Sequence, residues 1–129
     1  MNIVAKSQIN VLVQLAHVDK NFAEVERDLI FRVGHGHNLT DDEIGNLIQN
    51  PQPVGTLGAL SPGQKINYLL DCIELIYADN KVYESELVFC RSIAIKMGLR
   101  KSVIDFLIDN REIYSREKLQ EKVFSEFIA

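Results

Sequence analysis

The sequence predicts an all-α fold: a seven-helix bundle with internal duplication of a three-helix unit about a pseudo-twofold axis. Three observations lead there. Apolar residues recur at helical spacing, helix-start and helix-stop chemistry punctuates the chain, and a shift of 60 residues lays the first half on the second without a gap. The 129 residues fit one domain spanning 1–129, with 47% hydrophobic and 25% charged residues, an ordinary globular composition.

Periodicity places the elements. Ile9, Leu12, Val13 and Ala16 form one apolar stripe, and Ile66, Leu69, Leu70, Ile73, Ile76 and Tyr77 form a longer one. Leu119, Val123 and Phe127 form a third near the end. Alternating strand patterns are absent from the sequence. Helices are expected at about 2–18, 23–36, 41–50, 62–78, 84–97, 101–110 and 116–128.

Their ends have chemical causes. Thr40 and Glu43 have capping-box spacing, and Asp41 and Asp42 suit the positive end of the helix dipole. Ser61 before Pro62 is a second start and Ser115 a third. Gly98 fits the left-handed position that ends a helix. The loop over about 50–61 carries Val54, Leu57 and Leu60, so it is expected to lie against the core.

Under the 60-residue shift, Leu15 meets Leu75, Asp19 meets Asp79, Glu24 meets Glu84 and Glu26 meets Glu86. Leu39, Ile44, Leu47 and Ile48 meet Leu99, Ile104, Leu107 and Ile108. Asn38 meets Gly98, the two residue types that tolerate a left-handed backbone. Repeat one is therefore expected over about 8–48, repeat two over about 68–108, and an unmatched closing helix over about 116–128.

The strings His17–Glu26 and Tyr77–Glu86, the second followed by Met97-Gly98-Leu99, resemble the acidic turns of the TerB-like family. That family includes a bacterial tellurite-resistance protein and the N-terminal domain of a DnaJ-like protein. The resemblance covers about residues 8 to 110 and rests on the acidic turn, the Glu pair and the Gly-Leu stop occurring in order. Lys20 and Asn80 depart from it where Gly is common, as do Ala23 and Tyr83 where a small polar residue is common. No His-Pro-Asp tripeptide is present, so DnaJ-type chaperone activity is not implied. The resemblance implies an all-helical fold and a role in a bacterial stress-response, tellurite-resistance-like or envelope-associated complex.

It also implies a candidate cation site. Hard cations take several oxygen ligands, and the resemblance carries metal binding over to Asp19, Glu26, Asp79 and Glu86, with Glu24 and Glu84 as secondary acidic residues. A divalent cation, calcium or magnesium, is the ligand this reading would take. Helix capping accounts for the same residues without an ion: Asp in a turn accepts from nearby amides, and Glu in a first helical turn completes a cap. An EF-hand is excluded, because Glu24 and Glu84 stand where its Gly belongs and Ile30 and Cys90 where its last Glu belongs. His35-Gly36-His37 sits where the helix dipole favours His, without the partners of a zinc site.

Catalytic residues are not indicated. Nucleophile-elbow, phosphate-loop and dinucleotide patterns are missing, and Cys72 and Cys90 fall on apolar faces as reduced, buried thiols. The net charge of −4 argues against nucleic acid. The N-terminus lacks a signal-peptide layout and no run approaches ~20 apolar residues, so no membrane insertion and a cytoplasmic location are expected. The leading expectation is a non-enzymatic interaction or adaptor domain with a protein partner. Its candidate surface is acidic Asp41 and Asp42 after the first stop and basic Arg100 and Lys101 after the second, joined by Arg91 and Lys96. The alternative is the divalent-cation binding domain.

Overall fold

A computed structural model describes residues 3–18, 22–55, 57–78 and 81–129. Seven helices are present among them: α1 Ile3–His17, α2 Glu24–Gly36, α3 Asp41–Gln49, α4 Pro62–Ile76, α5 Glu84–Lys96, α6 Val103–Asn110 and α7 Arg116–Glu126. The fold is all-helical, as expected.

Two helices form the centre because they are apolar on most of their circumference. In α1, Ile9, Leu12, Val13, Leu15 and Ala16 are fully buried, and in α4 Leu69, Cys72, Ile73, Leu75 and Ile76 are. Helix α1 packs on α2, α3 and α4, while α4 packs on α1, α5 and α7. Where α4 turns from α1 and α5, α7 covers it with buried Leu119 and Val123. The inter-half loop closes on α1: the Gln52 carbonyl accepts from Asn10 Nδ2 at 2.8 Å and Gln14 Nε2 at 2.7 Å, and the Gln52 amide donates to Asn10 Oδ1 at 2.8 Å. Leu57 is buried and Val54 and Leu60 pack on the core, so the loop belongs to the globule.

Helix ends follow the chemistry of the sequence. Thr40 Oγ1 accepts from the Glu43 amide at 3.1 Å while Glu43 Oε1 accepts from the Thr40 amide at 2.9 Å. Ser61 and Gln64 make the same pair at 3.1 and 2.9 Å. Ser115 Oγ caps α7 by accepting from Lys118 N at 3.2 Å. Helices α2 and α5 stop identically. Asn38 has φ +65° and Gly98 φ +83°. The amides of Leu39 and Leu99 reach back to the carbonyls of Gly34 and Ala94, both at 3.0 Å, closing a Schellman turn under a buried leucine.

Three boundaries differ by two residues from the sequence expectation: helix α4 ends at Ile76 where 78 was expected, α6 begins later and α7 ends earlier. Helix α6 begins at Val103, because Lys101 and Ser102 form a turn in which the Val103 amide donates to the Arg100 carbonyl at 3.0 Å. Helix α7 ends at Glu126, because Phe127–Ala129 pair with the second stop. There the Arg100 amide donates to the Phe127 carbonyl at 2.8 Å, and the Ala129 amide to the Gly98 carbonyl at 3.1 Å. This Leu99–Ile128 bridge is the β pairing found among the described residues.

Candidate functional site

Of the acidic turn residues, Asp19 and Asp79 lie outside the described residues. Glu26 and Glu86 are buried, at 1% and 3% exposure. Each turns a carboxylate oxygen onto its own helix start: Glu26 Oε1 accepts from the Ala23 amide at 3.0 Å, and Glu86 Oε1 from the Tyr83 amide at 3.1 Å. These bonds satisfy amides that a helix start otherwise leaves unpaired, the geometry the capping account requires. Glu24 is exposed, and Glu84 reaches Arg91 at 3.2 Å. Among the described residues, no group of three or more His, Cys, Asp and Glu converges as a metal would need.

The candidate partner residues Asp41, Asp42, Arg100 and Lys101 are all exposed. Asp41 contacts His35 Nε2, so the His-Gly-His segment is tied to the start of α3. Glu43 binds Lys6 at 3.2 Å, and the Thr40 amide, then Lys6, hold its carboxyl below the usual range. Arg91 leaves the proposed basic group, since it bridges Glu84 and Asp105, both at 3.2 Å. Cys72 and Cys90 are buried and free. The neighbouring Cys90 and then burial hold the Cys72 thiol well above its ordinary value, which leaves little thiolate for nucleophilic chemistry.

A concavity of a different kind lies elsewhere. A groove of about 630 Å³ runs between α2, α4 and the α6–α7 corner. Buried Leu29, Leu70 and Leu119 line it, together with exposed Val25. Charges of both signs surround this apolar strip. Arg32 from α2 meets Glu74 from α4 at 3.3 Å, and the Arg111 guanidinium lies 4.5 Å from the Tyr77 ring centre. Arg116 lies 3.8 Å from Asp71 and also donates to the Asn67 amide oxygen. Asp28 and Glu112 complete the rim.

The Arg32–Glu74 pair is more than half exposed on both sides. Such pairs contribute about 0–1 kcal/mol, so a ligand carrying its own charges can replace it at little cost. The described lining holds no Ser, Cys or His. Chemically the groove offers apolar area, three guanidinium groups and three carboxylates, the mix of groups that binds a ligand by shape and charge. Sequence reasoning missed this groove. Its walls come from segments around residues 25–32, 70–78 and 111–119. The one sequence signal was Val25, an apolar residue on the polar side of α2.

No helix among the described residues is long and apolar enough to cross a membrane. No protein-family model, curated protein or solved structure matches the chain.

Proposed function

We propose that this chain is a non-enzymatic, TerB-like interaction domain, an adaptor in a bacterial stress-response or envelope-associated complex. Its protein partner inserts an amphipathic helix into the groove between α2, α4 and α7. The observation that carries this reading is the groove's build: an apolar strip of Leu29, Leu70 and Leu119 between rims that hold both signs of charge. A helix with an apolar stripe flanked by mixed charges complements such a surface. The buried Glu26 and Glu86 at the helix starts and the Schellman stops support the family side of the reading, since they recur in order with the same hydrogen bonds.

A photo-crosslinking residue at Val25, in the native cell, tests it. One specific protein should be trapped there and not at Glu121, which lies outside the groove lining. With that protein purified, Arg32→Glu with Arg111→Glu should slow association, and added salt should slow the wild type, because rim charges act mainly on encounter. Equal trapping at both sites overturns the reading. Slowing by Arg100→Glu with Lys101→Glu alone would move the partner to the face that bears those residues.

A further inference from the structure

The outer face of α5 carries two exposed aliphatic side chains where the matching face of α2 carries Asp28 and His35. Val88 and Ile95 are 55% and 58% exposed. At the corresponding places in α2 stand Asp28 and His35, and Ser92 replaces Arg32 between them. Glu84, Ser85, Val88, Ser92, Ile95 and Lys96 share one side of the helix, opposite buried Glu86, Cys90, Ile93 and Ala94. Ser92 Oγ already donates to the Phe89 carbonyl at 2.6 Å, so covering it leaves no hydroxyl proton unpaired. A helix that packs its inner side on α4 and α6 and carries large aliphatic side chains outward as well has a face prepared for a second contact.

We infer that this face is a homodimer interface, in which α5 crosses α5 of a second copy of this chain antiparallel about a twofold axis level with Cys90. The inference does not rest on the groove, which α5 does not line. Self-complementarity selects the occupant. An antiparallel crossing at that level sets each Val88 against the second copy's Ser92 and each Ile95 against its Ser85, large against small in both pairs. The same register sets Glu84, at the acidic start of the helix, against Lys96 at its basic end, twice by symmetry. Each helix also brings its negative C-terminal dipole end to the other's positive N-terminal end.

One helix crossing covers less than the ~800 Å² per partner of a standard interface, so the dimer is weak, with a dissociation constant on the order of 10 µM or weaker. Sedimentation of the full chain from about 1 µM to about 1 mM tests this. The wild type should pass from monomer to dimer. Val88→Glu, at an exposed position that leaves the fold intact by circular dichroism, should weaken association by at least roughly tenfold, since the new carboxylate would be covered without a partner. Glu84→Lys and Lys96→Glu should each weaken it, and an equimolar mixture of the two single variants should restore a heterodimer. A chain that stays monomeric throughout overturns the inference and leaves the face to a different protein. A dimer indifferent to Val88→Glu, or one that mixing does not restore, overturns the antiparallel α5 crossing.

Discussion

Helices α2 and α5 share the hydrogen bonds of their starts and stops and differ in the side chains those bonds hold up. In both, a buried glutamate accepts from the amide three residues before it, at 3.0 Å in α2 and 3.1 Å in α5. In both, a left-handed residue stops the helix and drops a leucine into the core. The side chains around this frame diverge. Gly34 in the first half corresponds to Ala94 in the second, buried Val11 to Asp71, and exposed Asp28 to Val88. Backbone geometry therefore constrains the starts and stops of α2 and α5 alike, while packing and surface are free to differ. The consequence is two unlike faces, a charged-rim groove beside α2 and a ridge on α5 that exposes Val88 and Ile95.

The packing difference has the largest expected effect. A Cβ added at Gly34 would lie 2.5 Å from Ile44 Cδ1 and 2.8 Å from Cγ1, while Ala94 carries its Cβ in the matching place. Gly34→Ala should destabilise by about 1–3 kcal/mol, the usual cost of overpacking a closed core. Adding Ile44→Val, which removes the nearest atom, should recover part of that loss. Equal stability of Gly34→Ala and wild type in urea would mean that α3 shifts to the spacing of α6.

The stops come next. Gly98→Val should lower stability by more than ~1 kcal/mol, because a β-branched side chain fits φ +83° badly. Gly98→Asn should cost less, since Asn38 already holds φ +65° in the first half. If both substitutions leave the melting temperature unchanged, the two stops do not carry comparable strain.

What could be read from the sequence divides along the same line. Helix starts at Thr40, Ser61 and Ser115 were legible because one side chain and one amide decide each locally. The stops at Asn38 and Gly98 were legible because few residue types accept that backbone. The end of α7 was not, because its last residues pair with Gly98 and Arg100, about thirty positions away in sequence. The groove was hidden for the same kind of reason: periodicity says which side of a helix is apolar, and not which neighbour fails to cover it. The α5 ridge was visible in principle, since the 60-residue shift sets Val88 and Ile95 opposite Asp28 and His35.

The smallest expected effect concerns Asp71, whose counterpart Val11 is a plain core residue. Its side chain keeps only 13% exposure and accepts from the Gln8 amide nitrogen, with Arg116 at 3.8 Å. Burial raises its carboxyl above the ordinary value, and Arg116 only partly opposes that. The sign of the linkage follows. At low pH the group is protonated in both the folded and the unfolded chain. As pH rises past the ordinary carboxylate range, the unfolded chain ionises first, and the folded chain loses relative stability until its own raised value is passed. Asp71→Asn removes this titration while keeping an oxygen for Gln8. The variant should therefore gain on the wild type in urea unfolding as pH rises from about 4 to about 7. If the wild type gains on the variant instead, the Arg116 charge outweighs burial at this site, and Asp71 works as an ion-pair anchor for α7 where Val11 only fills space.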